Sequence, residues 1–227
     1  MRLKIKSTMS LQNNKIKACI FDLDGTLTDT LEDIKNAANY AMRSVGLPER
    51  TLDEVRRFVG NGAEMLIRRC ASPSADEEII KTALSVYKEY YTLHLYDRTV
   101  PYDGIVSVLA ELKKKGIKIA VFSNKDDDAV KEICGCFFGE LICVSRGRCK
   151  NVLPKPNPQG VYEIMKELDC SADETLFVGD SDTDVETAHN AGMKCVGVSW
   201  GFRGREFLIK NGADYVIDYP QEILKIL

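Results

Sequence analysis

Long apolar runs are missing from this chain of 227 residues. The longest are far too short to cross a bilayer, so no membrane partner is expected. An excess of basic charge is missing too. Lys+Arg number 31 against 34 Asp+Glu, a formal net charge of −3. No global positive field therefore points to nucleic acid, although a locally basic phosphate site stays open. Histidine is scarce: there are 2, and neither His94 nor His189 has a ligand partner at helical spacing. Internal repeats and low-complexity tracts are absent. The first seventeen residues, MRLKIKSTMSLQNNKIK, hold no acid, no continuous apolar stretch and no small-residue cleavage site. They read as lacking a secretory signal, and residues 1–14 as a flexible tail.

Without a signal, the 8 cysteines read as reduced thiols in a cytoplasmic protein. Cys134 and Cys136 form C-x-C, with Cys143 and Cys149 downstream. That is not the tight pairing of common zinc modules. The expectation is packed, small hydrophobes. The runs KKK at 113–115 and DDD at 126–128 read as solvated helix ends.

What is present is enough apolar chain, 44% of residues, to bury a sizeable core. KIKACIFDL reads as a first strand. GIKIAVFSN (116–124), ETLFVGD (174–180), KCVGVSW (194–200) and ADYVIDY (213–219) repeat its pattern, and GELICVS (139–145) is a weaker sixth. Helical patterns lie between them at 104–115, 126–134, 158–169 and 183–192. Such alternation predicts an α/β fold, a Rossmann-like parallel sheet core. Residues 31–96 break it, with helical patterns alone, and predict an inserted α-helical cap subdomain. The core then comprises 15–30 and 97–227, with hinges near 25–31 and 99–104.

Parallel sheets carry their chemistry beyond the carboxyl ends of their strands. Four polar clusters fall there: Asp22 and Asp24 with Gly25-Thr26; Ser123-Asn124-Lys125; KPNP from Lys155; and GDSDTD, with Asp180, Asp182 and Asp184. Taken singly, each is also an ordinary turn or helix start. Together they supply acids, a hydroxyl and an ammonium around one point, as a phosphate-and-metal site requires. A carboxylate repels a phosphate dianion by about 4 kcal/mol per charge pair at ~4 Å and an effective dielectric of ~20. A divalent cation relieves that, and magnesium prefers oxygen ligands shared between carboxylate and phosphate. Asp22 and Asp180 could hold it. Ser123 and Lys155, with Thr26 and Asn124, are the candidate phosphate ligands. Asp22 would attack and Asp24 would carry the proton.

These motifs, DLDGT, SNK, KPNP and GDSDTDVETAHNAG, resemble in order the four motifs of the haloacid dehalogenase-like hydrolases. The resemblance covers nearly the whole chain after the tail. It implies a Rossmann-like core, Mg2+, an aspartyl-phosphate intermediate, and the Asp24 carbonyl beside Asp22 and Asp180 on the metal, with Asp184 as supporting acid. The helical insert, with VRRFVGNGAEMLIRR (55–69), and the tail WGF (200–202) with GADYVIDYPQEI (212–223) resemble the phosphoglycolate phosphatase-like branch. Arg56, Gly60 and Asn61 are candidate cap contacts. The function implied is magnesium-dependent hydrolysis of a small phosphorylated metabolite, phosphoglycolate-like, by a monomer or homodimer. A β-phosphoglucomutase-like phosphosugar mutase, an inorganic pyrophosphatase and a non-catalytic binding module are the alternatives.

Overall fold

A computed structural model describes residues 16–72 and 74–227. The expected tail, 1–14, lies outside the described residues.

Six parallel strands form the central sheet in the order β5-β4-β1-β6-β7-β8. They are β1 (Ala18–Phe21), β4 (Lys118–Asp126), β5 (Val144–Arg148), β6 (Thr175–Gly179), β7 (Lys194–Val198) and β8 (Tyr215–Ile217). Strand β1 is central, paired to β4 through Ala18↔Lys118 and to β6 through Ala18↔Thr175. Both sheet faces are covered. Cys19, Phe21, Ile119, Val121, Leu176 and Val178 pack on one side. Ala18, Ile20, Ala120, Phe122 and Phe177 pack on the other. The period of two along each strand sends alternate side chains to opposite layers, which is why the strand sequences read as continuous apolar runs.

Helices α5 (Ile105–Lys114) and α6 (Asp127–Phe137) pack with the first layer. Helices α7 (Gln159–Leu168) and α8 (Asp182–Asn190) pack with the second, and so does Leu208 of the short α9 (Arg205–Lys210). Two expectations need correction. The strand expected at 139–145 lies later, at Val144–Arg148, because Gly139 at φ 49° starts a 3-10 turn over Gly139–Leu141. The thiols divide as well. Cys134 is buried, while Cys136, Cys143 and Cys149 are exposed.

Between β2 (Thr28–Asp29) and β3 (Val100–Pro101) lie four helices: α1 (Leu31–Ser44), α2 (Leu52–Phe58), α3 (Ala63–Ala71) and α4 (Glu77–Leu93). Helix α2 starts with a capping box between Thr51 and Glu54. Asp76 caps α4 through the Glu78 N–H at 2.8 Å. No helix among the described residues is long and apolar enough to cross a membrane.

The two chain crossings into this insert run side by side. Strands β2 and β3 pair antiparallel through Thr28↔Pro101 and Asp29↔Val100. Just beyond, the buried carboxylate of Asp33 in α1 accepts from the N–H groups of Arg98 (2.9 Å) and Thr99 (2.8 Å) and from the Thr99 hydroxyl (2.8 Å). The insert thus leaves the core on a clamped two-stranded ribbon. Asp33→Ala would strand these donors, and we expect it to lower unfolding free energy by about 2–3 kcal/mol in denaturant titration. A change within about 0.5 kcal/mol, the range of an ordinary surface substitution, would show that the clamp carries no stability.

Candidate active site

Strand β1 ends at Phe21, and Asp22 follows directly, its N–H donating to Val178 O on β6 at 2.9 Å. The chain then turns tightly. Leu23 O accepts from the N–H groups of Thr26, Leu27 and Thr28, and Gly25 adopts φ 83°. A Cβ on Gly25 would stand 2.5 Å from Asp180 Oδ2, so the turn needs glycine for both conformation and space.

Lys155 is the centre of the site. Its ammonium is buried, 2.8 Å from Asp22 Oδ1 and 2.7 Å from Asp184 Oδ1. Burial pushes the Lys155 pKa down, but the Asp184 and Asp22 carboxylates outweigh it and hold it above the ordinary value. The other oxygen of Asp184 accepts from Asp180 N–H (3.2 Å), Ser181 N–H (3.0 Å) and Ser181 O–H (2.6 Å). Ser181 and Asp184 form the capping box of α8. The helix-start and site readings of GDSDTD therefore both hold: one acid starts the helix and anchors the lysine.

Asp180 differs from Asp184. Its Oδ2 accepts from Phe202 N–H at 2.6 Å, and no ammonium pairs with it among the described residues. Burial, then Asp184 and Asp22, push its pKa well above the ordinary value. Burial also lifts Asp22 to about 6, against the pull of Lys155 and with Asp184 and Asp24 adding to it. Carboxylate oxygens of Asp22, Asp180 and Asp184 lie within 4.8 Å of one another. Three buried acids thus face one buried lysine, an arrangement that a divalent cation would balance. Asp184 is already saturated by its donors, so Asp22 and Asp180 are the carboxylates with capacity for an ion. Asp22 Oδ1 pairs with Lys155 by distance yet lies out of line for a hydrogen bond, which leaves it open.

Above these groups lies a cavity of about 390 Å³. Core residues Asp22, Asp24, Ser123 and Asp180 form its floor, and residues of α3 and α4 its roof. The Ser123 hydroxyl accepts from Lys125 N–H at 3.4 Å, so its own proton is available to a ligand. Asp24 pairs through both oxygens with Lys125, at 2.9 and 3.0 Å.

Three candidates sit elsewhere than expected, and a fourth, Asn124, lines the cavity with its side chain already spent. Thr26 does not line the cavity; the turn tucks it beneath Trp200, whose indole N–H donates to Thr26 O at 3.1 Å. Asn124 spends its side chain on backbone, donating to Gly60 O (3.0 Å) and Lys155 O (3.2 Å) and accepting from Lys155 N–H (2.8 Å). It clamps the lysine loop to the insert and has no side-chain capacity left for phosphate. Arg56 pairs with Asp53 at 2.8 Å on the surface, because helical geometry turns it outward. Asn61 accepts from Arg69 at 2.8 Å and reaches Thr183 of α8 at 3.5 Å, locking the turn instead of facing the cavity. Gly60, at φ 113°, does line it.

Two contributors, Arg203 and Tyr91, escaped the sequence reading, and a third, Lys125, was named in its cluster without a role. Lys125 stands in the same SNK triplet. Arg203 follows WGF by one residue, and its guanidinium donates to Arg56 O (2.6 Å) and Val59 O (2.7 Å) at the end of α2. Tyr91 of α4 accepts from Lys125 at 2.8 Å. A lysine or arginine after a strand usually marks solvent, and nothing local signals the partner across the cleft.

The model of the haloacid dehalogenase-like hydrolase family matches residues 19–198. A phosphoglycolate phosphatase of Pseudomonas savastanoi pv. phaseolicola is 33% identical over 213 residues, covering 89% of this chain and 76% of that one. One from Vibrio parahaemolyticus is 30% identical over 223 residues, covering 93% and 96%. A crystal structure from Lactobacillus delbrueckii subsp. bulgaricus superposes with a TM-score of 0.89 at 31% identity, covering 94% of this chain and 99% of that chain.

The raised Asp22 carboxyl has a consequence for stability. A carboxyl lifted from 3.8 to about 6 contributes stability that is full below the lower value and lost as pH rises through the higher. In metal-free protein, the unfolding midpoint of Asp22→Asn should gain on wild type by several degrees between about pH 4 and pH 7. A constant difference across that range would contradict the burial argument.

Proposed function

The chain belongs to the haloacid dehalogenase-like hydrolases, is a phosphoric monoester hydrolase of the phosphoglycolate phosphatase-like branch, and on that footing we propose that it is a magnesium-dependent phosphatase of small phosphomonoesters of the phosphoglycolate kind. The observation that carries this reading is the buried cluster of Asp22, Asp180 and Asp184 around Lys155, opening into a cavity of about 390 Å³ under the helical insert.

Asp22, Asp180 and the Asp24 carbonyl would hold the ion. Bound there, magnesium supplies the positive charge that lets an anionic carboxylate approach an anionic phosphoryl group. An Asp22 oxygen attacks phosphorus in line, and the bond to the leaving oxygen breaks. Asp24 gives its proton to that oxygen, so the alcohol departs neutral. An aspartyl-phosphate remains on Asp22. Asp24, now a carboxylate, takes a proton from water, whose oxygen attacks phosphorus and restores Asp22. One Lys155 N–H donor is spent on Asp184 and the ammonium lies 2.8 Å from Asp22; its remaining capacity and the Ser123 hydroxyl serve the phosphoryl oxygens as charge shifts.

The helices at 31–96 act as a cap over a core made of 15–30 and 97–227. Arg203 and Asn124 tie the cap's α2–α3 turn to the core through Val59 O and Gly60 O. A closed cap excludes bulk water and limits the leaving group to a small one.

Phosphate release from a panel of small phosphomonoesters tests the reading. We expect turnover with magnesium, loss in excess chelator, recovery on readdition, and inhibition by calcium, whose longer and more numerous contacts would misplace Asp22. Full activity in chelator would sink the mechanism. Asp24→Asn should slow a poor alkyl leaving group at least tenfold more than an activated aryl one, since the former needs the proton. Equal losses on both would remove Asp24 as the acid.

A further inference from the structure

Lys125 is a buried ammonium in the cavity wall, and the mechanism proposed above assigns it no role. It ends the SNK triplet on β4. Its Nζ lies 2.9 and 3.0 Å from the Asp24 oxygens, donates to the Tyr91 hydroxyl at 2.8 Å, and sits 4.7 Å from the centre of the Tyr91 ring. The other cations lining the cavity are engaged elsewhere. Arg203 holds the carbonyls of Arg56 and Val59. Lys88 pairs with Asp126 at 2.9 Å, both partly exposed. The cap side of the cavity is otherwise mostly apolar, with Val59, Leu66 and Leu95. An anion on a leaving group therefore meets one buried cation there, and it is Lys125.

Position decides which anion. Asp24 hands its proton to the bridging oxygen, so a group on the adjacent carbon comes to lie beside Asp24. The ammonium next to Asp24 is that of Lys125. When Asp24 turns toward the bridging oxygen, it releases a Lys125 donor at this spot, while Tyr91 of α4 keeps the ammonium aimed. A charged hydrogen bond in a desolvated wall is strong enough to discriminate between substrates. Resting on the phosphatase reading above, we infer that Lys125, oriented by Tyr91, binds a carboxylate one carbon from the bridging oxygen and so selects short phosphomonoesters with an anionic leaving group.

The test compares kcat/KM for 2-phosphoglycolate with that for 2-hydroxyethyl phosphate, an uncharged counterpart of similar length, with p-nitrophenyl phosphate as a check on hydrolysis itself. Wild type should prefer 2-phosphoglycolate. Lys125→Met should shrink that preference by about 10- to 100-fold, the span of a hydrogen bond to a charged group, chiefly through KM. Lys125→Arg should retain most of the preference, and Tyr91→Phe should lose part of it without removing the charge. A preference unchanged in Lys125→Met, with both substrates slowed alike, would reduce Lys125 to a holder of Asp24 and overturn the inference. Wild type hydrolysing both esters without preference would also overturn it, while leaving the phosphatase reading intact. Wild type inactive on all three esters with magnesium would overturn that reading and this inference together.

Discussion

Three carboxylates buried around one ammonium impose the constraint on which this structure turns. Asp22, Asp180 and Asp184 leave water together, and Lys155 neutralises only part of their charge. Burying unbalanced charge is costly, and the cost appears as the raised pKa values of Asp22 and Asp180. The fold sustains it by surrounding the cluster with fixed donors. Ser181 and the start of α8 saturate Asp184, and Phe202 N–H holds Asp180. The capacity left over belongs to Asp22 and Asp180, where a cation and a phosphoryl group would meet.

The helical insert is joined to this cluster by contacts that mostly use backbone on the insert's side. Gly60 O, Arg56 O and Val59 O accept from Asn124 and Arg203 of the core. Backbone acceptors hold the turn to the core, and the Asn61 side chain adds a contact to Thr183. The Lys125–Tyr91 contact is different. It joins side chain to side chain and lies within the cavity, next to Asp24. The contact proposed for recognition is thus separate from those that hold the insert on the core, and β2 and β3 join the insert to the core at both crossings.

Much of the architecture was legible in the chain. Four of the six sheet strands lie within the apolar runs read for them and β4 overruns its own by two residues, because a strand buried on both faces has to be apolar at successive positions. The strand at 144–148 was displaced because its sequence, VSRGR, is polar and half-buried at the sheet edge. The two-residue strands β2 and β3 carry no periodicity that a sequence could display. Helices α2 and α3 fall within the expected helical insert, and Gly60 and Gly62 stand in the turn between them.

By itself the sequence determined which polar side chains stand at the strand ends. Asp22, Ser123 and Asp180 stand where apolar runs end, with Asp24 two residues on, so local order carries them to one edge of the sheet, while Lys155 arrives from the loop after β5. Tertiary structure alone decided how the remaining side chains are spent. Asn124 became a clamp, Asn61 a lock and Arg56 a surface ion pair, while Lys125, Tyr91 and Arg203 came to meet across the cleft. A side chain's role there depends on partners that stand far away in sequence, 101 residues for Lys125 with Asp24 and 147 for Arg203 with Arg56. Such pairings arise only when the insert folds back over the sheet, and no local pattern records them.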